Sequence, residues 1–405
     1  MTPEIKQRIE QIRRGEVPEG YVKKRKVVIP QQWGLPQIKD IASISSGSTP
    51  NRNNSEYWNG NIAWVTTGEL SSGHVNHTSE LITVKAVKET KMRIYPQGTL
   101  LMAMYGQGKT RGTVAILEID AAVNQACAAI TVKDGKSKFL FYQLKNSYQD
   151  IRKLSNTGNQ ENLNADIIKT YQVPWAPDEE QERISTILTT QDKVIKLKEK
   201  RLAEKQRQKK YLMQQLLTGK KRLPGFIGKW KTFGFNEIFI TISTKGHQIN
   251  KAEYETKGRY PVIDQGRQMI AGYSNKAEKA LMCPKEGVIV FGDHTREIKF
   301  VNFDFIVGAD GTQLLSAKSK NAAIKYLFYY LSNKDIHSDG YSRHFKYVKE
   351  FTYRLPPLGE QTAIAEVLSA ADREIELLQQ DIEQEKQKKK ALMQLLLTGI
   401  VRVKT

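Results

Sequence analysis

Two stretches of forty residues carry the most regular apolar pattern in the chain. From Glu180 to Gly219, steps alternating between four and three meet Ile184, Leu188, Ile195, Leu202, Leu212 and Leu216, with polar interruptions at Gln191, Lys198, Lys205 and Lys209. The same walk from Glu360 to Gly399 meets Ile364, Leu368, Ala371, Ile375, Leu378, Ile382, Leu392 and Leu396, interrupted at Glu385 and Lys389. A mean step of 3.5 residues is the seam of a coiled coil, so two long helices are predicted. The stretches align without a gap at an offset of 180, with sixteen of forty positions identical. Pro177 and Pro357 precede acidic first turns and Gly219 and Gly399 close the copies, which suits helix starts and stops. Because both polar interruptions of the second copy, Glu385 and Lys389, fall where Lys205 and Lys209 interrupt the first, the helices are expected to pair with each other, the alternative being that each packs only on its neighbouring module. Forty helical residues span about 60 Å. One turn of B-DNA is about 34 Å, so modules tied to such a pair would reach patches about a turn apart.

The segments between the helices correspond more loosely. Trp33 and Trp230 each precede a short strand pattern and a Ser/Thr/Gly loop; GTLLMAM (98–104) resembles GVIVFGD (287–293) as a buried strand; FLFYQLKN (139–146) resembles YLFYYLSN (326–333) as an aromatic helix. Short strands with loops of Asn, Gln, Thr, Ser, Lys and Arg predict β-rich α+β globules whose loops form the working surface. The chain therefore divides into an N-terminal helical segment (1–30), a first module (31–175), a central helix (176–222), a second module (223–355) and a C-terminal helix (356–405).

Charge changes the picture more than composition does. Of 405 residues, Lys and Arg number 63 against 43 Asp and Glu, a net +20 that favours a polyanionic partner. The excess is spread over both modules and the central helix rather than gathered in a tail, which suits a long nucleic-acid track. No apolar run is long enough to span a membrane, so a soluble, cytoplasmic chain without a membrane partner is expected. Cys127 and Cys283 stand alone, without the spacing of a disulfide framework or zinc site, and are read as buried small apolar residues.

The catalytic motifs are weak. Ala103 to Thr110 fits a relaxed phosphate-loop pattern, but the following RGTVAIL reads as a strand, where a nucleotide loop must open a helix. Tyr105, Gln107, Lys109, Thr110 and Arg111 on this glycine-rich loop suit phosphate and base-edge contacts instead. Asp293, His294, Thr295 and Arg296 form a comparable loop after a strand, and a metal-nuclease role lacks a second carboxylate and base nearby. Gln160, Asn162, Tyr341, Arg343, His344 and Lys346 on the late loops are further DNA-contact candidates. His74 and His77 are read as surface histidines. No NPP or DPP string is present to grip a flipped adenine, so the chain alone is not expected to methylate.

Two divergent globular modules, separated and closed by near-identical helices ending LLTG with PxxEQxxI starts, resemble the specificity subunit of Type I restriction–modification enzymes, over essentially the whole chain. The blocks SSGSTPNRNNSEYWNGNIAWVTTGEL (45–70), AMYGQGKTRGTVAIL (103–117), NQACAAI (124–130) and GNQENL (158–163) look like one module type of that family; RYPVIDQGRQMIAGY (259–273), IVFGDHTREIKFVNFDF (289–305) and GADGTQLL (308–315) look like another. They add Ser48, Thr49, Thr66, Thr67, Gln125, Asn159, Gln265 and Gln313 to the DNA-contact candidates, and Lys245, outside these blocks, is a further one. The resemblance implies an α+β fold, with two β-rich target recognition domains separated by two long, antiparallel-pairing coiled-coil helices in pseudo-two-fold arrangement. It implies a non-catalytic subunit of a methylating defence system against foreign DNA, reading double-stranded DNA at two half-sites. Partners would be two methyltransferase subunits, with restriction subunits as further candidates. No cofactor or metal is expected on this chain, S-adenosylmethionine residing on the methyltransferases. Ile187, Leu217, Val367 and Leu397, outside the seam, together with the N-terminal helix, are candidate partner surfaces unless they pack on the modules. The rival readings are a self-contained DNA modification or cleavage enzyme and a non-specific basic coiled-coil scaffold.

Overall fold

The computed structural model describes residues 2–106, 108–154, 162–318, 322–338, 340 and 342–403. The chain forms two compact units, Met1–Leu197 with Ile382–Thr405, and Lys198–Asp381.

Unit one carries β1 (Ala42–Ser46), β2 (Trp58–Val65), β3 (His74–Val75), β4 (Glu80–Ile82), β5 (Leu100–Ala103), β6 (Val114–Leu117), β7 (Ala121–Val123) and β8 (Cys127–Val132). Five strands form a sheet in the order β1-β8-β5-β6-β3, and three form a second in the order β4-β2-β7. Antiparallel pairing sets Ile130 opposite Ile44 and Ala129 opposite Leu101, whereas β2 and β7 run parallel. Strands β5 and β6 are buried along their whole length, which is why they read as unbroken apolar runs rather than alternating ones. The helix Ser137–Asn146 places Phe139, Leu140, Phe141 and Leu144 in the same core as Trp33, Leu100, Met102 and Ile130.

Unit two carries β9 (Phe239–Ile242), β10 (Gln248–Ile249), β11 (Tyr260–Ile263), β12 (Gly272–Ser274), β13 (Val288–Gly292), β14 (Ile298–Val301), β15 (Ile306–Gly308) and β16 (Thr312–Ala317). They form one sheet in the order β9-β16-β13-β14 and another in the order β10-β15-β11-β12. The helix Ile324–Ser332 buries Tyr326, Leu327, Tyr330 and Leu331 with Phe291 and Leu315. Each unit is thus a β-rich α+β globule, and the paired motifs fall on equivalent elements: a one-turn helix and strand after each tryptophan, a buried strand, then the aromatic helix.

The two predicted helices are α1 (Asp178–Leu216) and α2 (Leu358–Leu396), each of 39 residues. Gly219 and Gly399 follow in left-handed conformation, φ 73° and 72°. In unit one, Gln191 Nε2 donates to Glu385 Oε2 (2.6 Å) and Lys389 pairs with Asp192, while Ile184 and Leu188 share a core with Met393 and Leu396. In unit two, Lys198 pairs with Asp381 (2.8 Å), Lys205 with Glu374 (2.9 Å) and Lys209 with Asp372. Partner numbers fall as helix numbers rise, so pairing is antiparallel. Ile184, Leu188, Ile195, Leu216, Ile364, Leu368, Ile382 and Leu396 are buried, and Leu202, Leu212, Ile375, Leu378 and Leu392 half-buried. Mutual pairing and packing on the modules both occur. Leu217 and Leu397 are buried in the two module cores and Val367 packs against one of them, so of the four apolar residues outside the seam Ile187 alone is exposed. Cys127 is buried as expected, whereas Cys283 is half-buried.

The repeat extends from sequence to contacts. Buried Glu180 binds Arg402, and Glu360 binds Arg222. Tyr142 Oη donates to Asp192 (2.8 Å) and Tyr329 Oη to Asp372 (2.6 Å), with the Lys389 and Lys209 ammonium groups 5.5 and 5.7 Å from the respective rings. Burial pushes both phenols well above their ordinary range. Gln181 and Gln361 donate to the carbonyls of Ala176 and Pro356 (2.7 and 2.8 Å). One contact breaks the symmetry: Trp33 Nε1 donates to Glu180 (2.9 Å), while the buried Trp230 Nε1 has no partner among the described residues.

Candidate DNA interface

In unit one the ends of five strands gather loops from distant parts of the module. Ser48, following β1, donates its N–H to Val123 at the end of β7 (3.0 Å), and Trp64 Nε1 returns a bond to Ser48 O (3.1 Å). Thr49 donates to the Gln125 side chain. Asn124 N–H bonds Val65 O (2.9 Å), setting Thr66 beside this loop; the Thr66 N–H donates to Glu69 Oε2 (2.7 Å), capping the short helix that Thr67 opens. Met104 N–H donates to Ala126 O (2.8 Å) and Leu163 N–H to Met104 O (2.9 Å). Ser48, Thr49, Thr66, Thr67, Tyr105, Gln125 and Asn162 therefore share one edge, and Tyr105, Thr49 and Gln125 are exposed on it.

The glycine-rich loop is braced from behind. Tyr148 Oη donates to Lys109 O (2.6 Å) and Arg152 Nη1 to Arg111 O (2.7 Å), so the helix Tyr148–Arg152 holds its base. Gly106 and Gly112, at φ 131° and 81°, supply conformations that side-chain-bearing residues adopt at a cost. Lys109 is exposed and Thr110 half-buried, but the Arg111 side chain is 7 % exposed, which corrects its placement among displayed contacts. The loop runs into β6, a strand and not a helix, so a phosphate loop in the ATP-binding sense does not form. Gln107, Asn159 and Gln160 lie outside the described residues.

In unit two Asp293 is the hub. It is 2 % exposed; its Oδ1 accepts from Phe345 N–H (2.8 Å), its carbonyl from His344 N–H (2.8 Å), and its own N–H donates to Gly311 O (2.7 Å). His344 is wholly buried. Both were expected among displayed side chains; burial and main-chain bonding make Asp293 a brace that joins three loops and keep His344 inside. Around them, Gln265 Oε1 accepts from His294 N–H (3.1 Å), Thr295 Oγ1 donates to Gln265 O, and Arg296 Nη1 donates to Ile336 O (2.8 Å). Thr295, Arg296, Arg343 and Lys346 are exposed, Gln265, His294 and Gln313 half-buried, and Lys245 is exposed on the turn after β9. Tyr341 lies outside the described residues.

Sequence reasoning missed three features. Arg52 stacks over Trp58 (4.2 Å) and Trp64 (5.0 Å), pairs through both nitrogens with Glu80, and rims a cleft of about 270 Å³. Its partners are 6 to 28 positions away, and only the Arg and Trp residues within one polar block hinted at it. Arg267 and buried Lys299 are the others; nothing in their local pattern separates them from ordinary surface cations. His74 is exposed and bonds Glu118 Oε1 (2.8 Å), and His77 is exposed beside Asn76. Among the described residues no group of three or more His, Cys, Asp or Glu could hold a metal, and no helix is long and apolar enough to cross a membrane.

Two β-rich modules, each packed on its own segments of the long helices and each offering its own cluster of polar, basic loops, define a two-module recognition scaffold. The chain belongs to the Type I restriction modification DNA specificity domain family, whose model matches residues 30–206 and 227–387. It is 34 % identical over 178 residues to the MjaIX specificity subunit of Methanocaldococcus jannaschii, a match spanning 42 % of this chain and 40 % of that one. It is 26 % identical over 411 residues to the putative MjaX specificity subunit of the same organism, spanning 93 % and 95 %. In fold it is similar to the S subunit of M. genitalium, with a TM-score of 0.64 at 14 % identity over 93 % of this chain and 98 % of that one. The expectation of a DNA-specificity subunit, a recognising rather than a catalytic component, stands on this membership.

Proposed function

We propose that each module reads one half of a bipartite, asymmetric DNA target, and that the helix pair sets the gap between halves and docks two methyltransferase subunits, with restriction subunits joining the cytoplasmic complex. S-adenosylmethionine would reside on those partners. The observation that carries this reading is the combination in each unit of one contact framework, repeated at an offset of 180, with a loop cluster of different composition: Tyr105, Lys109, Thr49 and Gln125 in one, Gln265, Thr295, Arg296 and Arg343 in the other. A common frame with unlike readers yields an asymmetric target.

Lysine and arginine contacts to phosphate supply salt-dependent grip, and loop side chains discriminate base edges at about 1–3 kcal/mol for each good bidentate contact. The test is to purify the chain with a methyltransferase subunit and map methylated adenines. A split motif with a fixed gap is expected; exchange of 31–175 for another module should change one half only, and removal of one turn within 190–210 should change the gap only. Methylation or cleavage by the chain alone, or binding without sequence preference, overturns the reading.

A further inference from the structure

The turn 264–268 of unit two displays Arg267, a residue the loop pattern did not single out. Its side chain is 92 % exposed and touches only the rim carboxylate of Glu297, Nε to Oε1 at 3.3 Å, among the ion pairs described. The turn beneath it is held from inside. Lys299, on β14, is 7 % exposed and donates from Nζ to Asp264 O (2.7 Å) and Gln268 O (2.6 Å), one carbonyl on each side of the tip. Asp264 Oδ1 accepts from Gly266 N–H (2.8 Å), and Gln265 ties the turn to the His294–Thr295 loop.

A buried ammonium is costly to maintain, and burial lowers the Lys299 pKa against the pull of Asp264 and Glu297. The gain from that cost is a fixed turn. A flexible surface arginine gives up side-chain and loop entropy on binding, whereas one carried on a clamped turn loses less per bond. The exposed pair with Glu297 contributes little and exchanges readily for another acceptor. Neighbouring Arg296 is engaged with Ile336 O and has φ 62°, so Arg267 is the better placed of the two guanidinium groups for an outside ligand.

We propose that Arg267 reads a guanine in the half-site of module two, its two nitrogens donating to O6 and N7, and that Lys299 is the positioning residue that fixes it; this rests on the reading of module two as a DNA reader. The test is competition binding by the full chain in its methyltransferase complex, with the mapped duplex against variants of every base pair, at several salt concentrations. Arg267→Ala should reduce discrimination about 10- to 100-fold at one G·C pair of one half-site and leave the other half unchanged. Lys299→Met should relax the same pair, Lys299→Arg should retain most of the preference, and R267A/K299M should lose no more discrimination than R267A alone. A uniform loss of affinity for all duplexes with a shallower salt dependence would make Arg267 a phosphate contact and overturn the proposal, as would unchanged discrimination. Should Lys299→Met unfold the unit, Arg267→Ala still decides the matter. If the wild-type complex shows no split motif at all, the functional reading fails; if it shows one that Arg267→Ala leaves intact, this inference alone fails.

Discussion

Glu180 and Arg402 meet in a two-point bond, Nε to Oε1 at 2.8 Å and Nη2 to Oε2 at 2.9 Å, with the carboxylate wholly buried at the start of α1. Glu360 and Arg222 repeat it in unit two, Nε to Oε1 at 2.9 Å. In both units the start of one helix is fastened to the segment that follows the end of the other.

Arg402→Ala should therefore destabilise unit one by leaving a buried carboxylate without its cation. Loss of one partner of a buried pair costs about 3–5 kcal/mol, and the low end applies here because Arg402 is itself 35 % exposed. Chemical denaturation measures it; a loss well below about 1 kcal/mol would mean that Trp33 Nε1 and the Val403 N–H are enough to satisfy Glu180.

Gly399→Ala should cost more than Gly219→Ala. Both glycines sit at positive φ, a penalty of about 1–2 kcal/mol for an L side chain. A Cβ at 399 would also stand 2.5 Å from the Pro30 ring, against 3.2 Å from Trp230 at 219. Melting temperatures of the two variants check the order.

Burial pushes the Cys127 thiol up to about 12 from an ordinary value near 9.0. The folded state holds that proton more tightly than the unfolded one, so the contribution to stability is complete below pH 9.0 and declines as pH rises toward about 12. Cys127→Ala should flatten the alkaline limb of the stability profile, and native Cys127 should resist thiol reagents at neutral pH while the half-buried Cys283 reacts.

Lys109→Ala should weaken binding to all duplexes alike and reduce the slope of log affinity against log salt by about 0.9, the signature of one lost phosphate contact. A change confined to one base position would instead make Lys109 a base reader.

The helices and their pairing were legible because a 3.5-residue period and a gapless repeat are local, redundant signals. The matched strand and helix motifs of the modules were legible for the same reason. What escaped was direction and partnership. Asp293 and His344 have the composition of displayed loop residues, yet the His344 and Phe345 N–H groups and the Gly311 carbonyl hold Asp293 inward. Arg111 lies in a basic, glycine-rich run, yet it is buried, and its carbonyl accepts from Arg152 at the loop base. Leu217 and Leu397 follow the seam in sequence, and of the two readings open to them, partner surface or module packing, the structure takes the second. The Lys299 clamp joins residues 31 and 35 positions apart, beyond any local pattern.

Unit two is one uninterrupted stretch, 198–381, whereas unit one needs 382–403 to supply Lys389, Leu396 and Arg402. During synthesis the later unit in chain order has all of its parts first. The earlier one must wait on the ribosome with the Glu180 carboxylate lacking its guanidinium and the groove for Met393 and Leu396 open. A released chain truncated after 381 should hence yield a protease-resistant second module and a susceptible first one.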